Sequence, residues 1–587
     1  MSRYNKPQQR SLDSVEVGLS GFGYKPKGFP KQFREACDSI IPDKVFDGLY
    51  SDRGREARSP SLLTRLVLLQ LRGGRSDEQI VEDLYCDVRV RYMCDFGFDQ
   101  KRIHPTNLVY HRLRLLYGTI YRDRIAALKE AGFEESESPV QDVFDKIKEA
   151  AIGLGIMDAE SAQLIDSTAI LGRAAVMDSY RLIWNGIRAT LKRCNDGAGE
   201  GTEDLILRLR RQDYLEDMAK PKIDWESAPA RAELLTDLVS DATEILGAGL
   251  SMEDKELEGL LIQLAKLLAQ DVVTEGDGTA KLKEGVTQDR QVSTVDTDMR
   301  HGRKSKSKRF NGYKGTITAD PESGVITGVH VMGGNEHDSV AVAPMIEQQI
   351  ESGACPPALI GDRAYATEDA RHEAMKLGVA MVTKPNTTSS QVEGFGKANF
   401  SIDMMGRIII CPNGVTRSIV GNSITFSGKH CASCSHSEVC LGKSGKRTIK
   451  IREHEALQRD AEVFALTQRG KELLALRPGI ERVIAYWVRN GVRQARYFGR
   501  PKVWLQAMLS AIVCNLGKIG RYVDKRNDNQ PKTHLYAAYS DLITALRVVL
   551  SIISDHEPFV KDFTRKRGTG QSLLQTVLKK PFCSVAS

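Results

Sequence analysis

Pro356-Pro357-Ala358-Leu359-Ile360-Gly361-Asp362-Arg363-Ala364-Tyr365-Ala366 reads as a short strand that ends on an acid. The apolar run Ala358–Ile360 is too brief for a helix, and Pro-Pro and Gly bound it as they bound buried strands. Thr367-Glu368-Asp369 then opens a helix to about Leu377, with Thr367 as N-cap and acids in the first turn. Ligands of an open parallel sheet bind at the carboxyl ends of its strands, which is where Asp362 falls. A carboxylate there is either a metal ligand facing a phosphate or a plain turn residue. This stretch alone leaves both readings open.

Upstream, Ala162-Gln163-Leu164-Ile165-Asp166-Ser167-Thr168 repeats the pattern, an apolar strand closing on an acid and two hydroxyls, and residues 169–192 read as helix. Residues 312–320 and 325–331 are alternating β-branched runs around Pro321-Glu322-Ser323-Gly324, a hairpin signal. Asn335-Glu336-His337-Asp338 then leads a helix through Val342, Met345 and Ile346. His337 could ligate a metal, but Asp338 as helix cap with His337 beside it is the simpler reading. Residues 379–383 form a further strand. Together these elements describe an α/β fold with a mixed, ribonuclease H-like sheet.

Other segments surround this sheet. Ser59-Pro60-Ser61 opens a helix that Gly73-Gly74 breaks, and Ser76-Asp77-Glu78 opens a second, a pair resembling a helix-turn-helix. The segment from His104-Pro105-Thr106 to Leu115 presents a polar-basic face of Tyr110, His111, Arg112 and Arg114, a candidate for DNA contact or simply a solvated face. Residues 195–289 read as a charged helical insertion. The basic run Arg303, Lys304, Lys306, Lys308 and Arg309 suits a phosphate backbone, or else is a solvated loop. Cys411, Cys431, Cys434 and Cys440 crowd a turn-rich segment poor in apolar residues, which suggests structural zinc, with His430 or His436 as substitutes. Free thiols and an Fe–S cluster are the alternatives. Pro478-Gly479 starts a helix with Glu481 in its first turn, and Arg489, Arg493, Arg496 and Arg500 form one stripe unless Gly491 interrupts the helix. Residues 504–516 read as an apolar helix under the sheet, in which Asn515 caps or bonds locally, and 542–553 as one more helix.

The chain has 587 residues and 11 cysteines, with Lys+Arg 83 against Asp+Glu 76 and a net charge of +7, which permits a nucleic-acid partner without demanding one. Thinly spread, odd-numbered cysteines argue against a disulfide framework and for a reducing compartment. No uninterrupted apolar stretch approaches the roughly 20 residues of a membrane span, and a polar N-terminus lacks a signal-peptide core. A cytoplasmic protein is expected, without membrane association.

In order along the chain, "RSPSLLTRLVLLQLRGGRSDEQIVEDL", "HPTNLVYHRLRL", "LIDSTAILGRAAVMDSYRL", "DTDMRHGRKSKSKRFNGYKGTITADPESGVITGVHVMGGNEHDS", "LIGDRAYAT", "CPNG", "CASCSHSEVC" and "RPGIERVIAYWVRNGVRQARYFGRPKVWLQ" resemble the blocks of a DDE transposase of the bacterial insertion-sequence type. The resemblance implies a catalytic triad of Asp166, Asp362 and Glu481 holding two Mg²⁺ (or Mn²⁺) ions, DNA cleavage and strand transfer. It implies element ends and target DNA as partners, a homodimer bridging two ends, and a bacterial, nucleoid-associated location. One branch of the family has Tyr, Arg, Glu and Lys around the glutamate; here Arg477 matches the Arg, the Tyr position is Leu474, and the Lys position is Val488 with Arg489 next to it. Arg477 and Arg489 would hold phosphates. The implied layout is an arm (1–31), a helical DNA-binding domain (32–150), a catalytic domain (158–194, 290–388 and 470–520) interrupted by a helical insertion (195–289) and a Cys-rich one (389–469), and a tail (521–587). A nuclease without strand transfer and a transposase-derived DNA-binding protein without catalysis are the rival readings.

Overall fold

In the computed structural model the described residues are 23–528, apart from 51–56, 98–99, 101, 119–134, 136, 197–201, 217–219, 251–252, 277–278, 286, 305–306, 385–394 and 442–444. Lys306, most of the arm, and the helix expected at 542–553 therefore lie outside them.

The sheet is built on β1 (Gln163–Leu171), which continues through residues that the sequence suggests as a helix start; the helix begins only at Ser179. The cause is a full-length partner. β3 (Arg309–Ala319) runs antiparallel to β1 from Leu164↔Ala319 to Leu171↔Gly312, so residues 169–171 are hydrogen-bonded as strand. β4 (Ile326–Gly333) completes the expected hairpin on β3, and β2 (Arg300–Arg303) pairs with the start of β3. On the other edge of β1, β5 (Ala358–Ile360) and β6 (Ala380–Val382) are parallel, giving one six-stranded mixed sheet.

The N-terminal helices obey their caps. α1 spans Phe29–Ile40, so the last residues assigned to the arm are helical. In α2 (Pro60–Gly73) the Ser59 hydroxyl accepts from Leu62 N–H and Gly74 ends the helix at φ +63°. α3 (Asp77–Cys86) starts with a Ser76/Gln79 capping box. α4 (Val88–Met93), α5 (Thr106–Tyr117) and α6 (Pro139–Gly153) complete this region. Leu66, Phe144, Ile317 and Trp504 belong to one apolar cluster, so these helices share their core with the sheet.

α7 (Ser179–Asp196), α8 (Thr202–Arg208), α9 (Ala228–Gly247) and α10 (Lys255–Asp271) pack round their own core, where Trp184 stacks on Tyr214 with ring centroids 4.6 Å apart. α11 (Val342–Glu351) and α12 (Glu368–Lys376) flank β5, and the Thr367 hydroxyl caps α12 as its sequence predicts.

The described residues close with α13 (Glu455–Leu466), α14 (Gln468–Leu476), α15 (Gly479–Trp487) and α16 (Arg500–Asp528). α16 lies under the sheet, where Trp504 Nε1 donates to Val329 O at 3.2 Å. Asn515 does not bond locally: it donates to Ile326 O at 2.8 Å and accepts from Ile326 N at 2.9 Å, tying the helix to the first residue of β4. The helix also runs past residue 516, where the sequence reading ends it, and through Gly517 and Gly520. A Cβ at 520 would stand 2.5 Å from Cβ of Gln32, so that glycine serves close helix packing. Arg500–Arg526 is the one described helix long and apolar enough to cross a membrane, and 94% of its apolar window is buried inside the protein, as in a core helix.

Candidate active site

Asp166 sits on β1, Asp362 two residues beyond β5, and Glu481 in the first turn of α15. Parallel pairing of Leu164 with Ile360 brings the two aspartates to the same level of the sheet. Burial pushes the Asp166 carboxyl up to about 6, opposed by the Ser167 backbone N–H and reinforced by the negative charge of Asp362. Asp362 also acts as the turn residue its sequence allows, accepting from Ala364 N at 2.8 Å. The two readings of that acid are therefore compatible.

Glu481 joins them through Arg477. That guanidinium stands 3.5 Å from Asp166 Oδ2 and 3.1 Å from Glu481 Oε1. Glu481 itself is 63% exposed, whereas Asp166 is 16% exposed. Two of the three carboxylates thus share one cation, and Asp362 adds a further negative charge beside Asp166, a formal net charge of −2 among the four groups. The donor set, all hard oxygens with an uncompensated charge of two, fits a divalent ion such as Mg²⁺. Among the described residues no group of three or more His, Cys, Asp or Glu is placed to hold a metal ion.

The cysteines call for a correction. Cys411, Cys431, Cys434 and Cys440 line one cavity with His430 and His436, yet they form no metal-holding group either, so zinc is not supported. The segment also has the apolar core that its composition seemed to lack. Strands Ser401–Asp403, Ile408–Ile410, Thr416–Ser418, Ser423–Phe426 and Arg447–Lys450 bury Phe400, Ile409, Ile424, Phe426 and Ile449.

The basic residues divide. Arg303, Lys304, Lys308 and Arg309 are exposed at the end of the β2–β3 hairpin, where Lys304 N donates to Lys308 O at 2.9 Å. The run is thus a built ribbon, while Lys306 lies outside the described residues. Arg489, Arg493 and Arg500 are exposed, but Gly491 at φ +108° breaks the helix, so they do not form one helical stripe with Arg496, whose guanidinium donates to Arg75 O. Arg112 is withdrawn from the DNA-facing set: it is 7% exposed and ion-paired with Asp77 at 2.6 Å. His111 is fully buried between the Tyr50 hydroxyl and Thr64, and Arg114 stacks over Tyr50 at 4.6 Å. Of the polar-basic face of α5, Tyr110 is exposed beside Val109 and Arg114 is half-buried.

Sequence reasoning took Asp338 for a helix cap and Ser167 for a strand-end hydroxyl, and gave Lys314 and Tyr365 no role. Asp338 does not cap the helix after it; the His337 ring accepts from Ser339 N–H instead, and Asp338 reaches Ser167 and Lys314. The hydroxyl directly after Asp166 was the available signal.

Fold and site together define a mixed-sheet protein with acids at β1, just beyond β5 and on α15, and with exposed basic residues on the β2–β3 hairpin and after α15. Residues 410–520 match the family described as a transposase DDE domain, and residues 25–114 match a second described as a transposase domain (DUF772). Both are transposase families, consistent with an insertion-sequence DDE transposase. The first match includes Glu481 and stops short of both aspartates. No curated protein and no solved structure matches the chain.

Proposed function

We propose that the chain is a DNA transposase that cuts at the ends of a mobile element and joins the exposed 3′ ends to target DNA in one carboxylate site. The observation that carries this is that Arg477 contacts both Asp166 and Glu481 while Asp362, level with Asp166 just beyond the neighbouring strand, adds its charge beside that acid, three distant stretches thus supplying neighbouring carboxylates. The strand order supports a ribonuclease H-like reading: a three-stranded antiparallel unit, β4-β3-β1, continued by two parallel strands. Asp166, Asp362 and Glu481 would hold Mg²⁺ or Mn²⁺, which when bound supplies Lewis-acid activation of the attacking and leaving oxygens. The net charge of −2 matches one divalent ion, and an entering phosphate brings negative charge to hold a second.

Arg477 would exchange its carboxylate partners for a phosphate as DNA enters, since a guanidinium binds either. The exposed hairpin of Arg303, Lys304, Lys308 and Arg309, together with Arg489, Arg493 and Arg500, would track the backbone without reading bases. The DNA is that of the element's terminal inverted repeats and of the target, and a homodimer would bridge two ends.

The test is Mg²⁺- or Mn²⁺-dependent cleavage of a plasmid bearing the element's own ends, by wild type and Asp362→Asn. Cleavage lost in the variant supports the reading, and equal cleavage by both refutes the triad. Cleavage without joined products makes the protein a nuclease, and binding without cleavage makes it an inactive relative.

A further inference from the structure

Successive residues of a strand point to opposite faces of its sheet. Asp166 meets Arg477 on one face of β1. Ser167, on the other, donates its hydroxyl to Asp338 Oδ1 at 2.9 Å. Asp338 is in turn ion-paired with Lys314 Nζ of β3 at 3.0 Å, and Lys314 donates to Glu336 O at 2.6 Å. From Ser167 the chain of bonds returns to the site, since its backbone N–H donates to Asp166 Oδ1 at 2.8 Å. β5 pairs only with Gln163 and Leu164, so residues 166–167 have lost the strand neighbour on that edge. On that edge no strand holds them, while β3 still pairs with them on the other. Tyr365 is fully buried beside them, and the charges acting on it are those of Asp338, Asp166 and Asp362.

We propose that Asp338 is a positioning residue of the carboxylate site, fixing the Asp166-Ser167 segment through the Ser167 hydroxyl. Asp338 itself touches neither DNA nor ion. It replaces the missing strand partner with a charge-assisted hydrogen bond and so sets the direction in which Asp166 presents its free oxygen. Partners of this kind orient a ligating carboxylate, and their loss typically costs about 10- to 100-fold in metal affinity or activity. The inference rests on Asp166 being a metal ligand.

The experiment measures Mn²⁺ affinity of the full chain with end DNA, by the electron paramagnetic resonance of free Mn²⁺, alongside cleavage and thermal melting. The variants are Asp338→Asn, Ser167→Ala and the double variant Asp338→Asn/Lys314→Met. Both single variants are expected to bind Mn²⁺ at least about tenfold more weakly, with melting and metal-free DNA binding close to wild type. The double variant is expected to stay weak. Unchanged Mn²⁺ affinity in the single variants overturns the proposal, as does recovery in the double variant, which would reduce Asp338 to a counter-charge for Lys314. Ser167→Ala keeps the ion pair and decides the matter if Asp338→Asn does not fold. A wild type that binds Mn²⁺ but leaves its ends uncut refutes the transposase reading and leaves this inference to the Mn²⁺ result; one that binds no Mn²⁺ overturns both.

Discussion

Arg477 reaches Asp166 across 311 residues of sequence, Nη2 to Oδ2 at 3.5 Å, while its Nη1 holds Glu481 one helical turn away at 3.1 Å. The same guanidinium keeps its Nε buried without a partner, so its bonding capacity is not used up by the acids. Replacing it with glutamine should lower end cleavage at saturating DNA by about 100-fold or more, the usual effect of removing a cationic clamp on a reacting phosphate. Melting should barely move, because the Glu481 side of the contact is exposed. A loss of cleavage smaller than about tenfold would mean that Arg477 never meets the phosphate.

His111 gives the N-terminal helices a pH dependence. Burial, with Arg114 and Arg112 nearby, pushes its imidazole down to about 3, so it is neutral where it bonds Tyr50 and Thr64. An unfolded chain binds that proton near pH 6.5, the folded one near 3. Stability from this residue is therefore complete above about 6.5 and falls as pH drops through that window, by on the order of 5 kcal/mol in all. Urea unfolding at pH 7.5 and 4.5 should show the loss in wild type and a shallower one in His111→Gln. Equal slopes would place the titration elsewhere.

Arg112 separates a structural cation from a DNA-binding one. It joins α5 to α3 through Asp77, accepts no role at the surface, and stacks near Tyr497 at 5.6 Å. Arg112→Met should cost about 3–5 kcal/mol, the range for breaking a buried pair while leaving the partner charge. The salt dependence of DNA binding should not change. A reduced salt slope at normal stability would return Arg112 to the DNA face.

The sheet was legible because its signals are local: Pro and Gly bound Ala358–Ile360, and Pro321 to Gly324 makes the hairpin turn. The caps Ser59, Ser76 and Thr367 act within three residues and were readable for the same reason. What stayed hidden depends on partners far away in sequence. Residues 169–171 favour helix by themselves and become strand only because β3 supplies their hydrogen bonds. Asn515 looks like a helix residue with local bonds until Ile326, 189 residues earlier, takes both ends of its amide. Asp338 was a cap by spacing and an ion-pair partner by tertiary contact. The acids at 166, 362 and 481 could be picked out by type and context, but the arginine that Asp166 and Glu481 share could not.

The β2–β3 hairpin makes a quantitative prediction about charge. Replacing Arg303, Lys304, Lys308 and Arg309 together with glutamine should flatten the plot of log affinity against log salt by about 3 to 4, close to 0.9 for each phosphate contact removed. Titrations of end DNA and of unrelated duplex across several salt concentrations should show the same change, since backbone contacts carry no sequence information. An unaltered slope would leave the hairpin a solvated ribbon.

Gly491 sets the junction between the α15 helix and the N-terminal domain. Its φ of +108° lies where a side chain is strained, and a Cβ would stand 2.8 Å from the carbonyl oxygen of Leu71 in the last turn of α2. Arg72 Nη1 donates to Asn490 Oδ1 at 2.9 Å beside it, and Gln506 Nε2 donates to the Gly491 carbonyl at 2.6 Å. Backbone, side chain and neighbour therefore all depend on the same kink. Gly491→Ala should destabilise by about 2–4 kcal/mol, combining strained φ with a backbone collision that no rotamer change relieves. Arg72→Ala, which removes one bond and adds no strain, should cost about 1 kcal/mol. Since the kink also divides Arg489 from Arg493, Gly491→Ala should weaken DNA binding more than Arg72→Ala does at a temperature where both variants remain folded. Equal melting for Gly491→Ala and wild type would mean that α2 can withdraw without loss, and that the junction does not hold the two regions together.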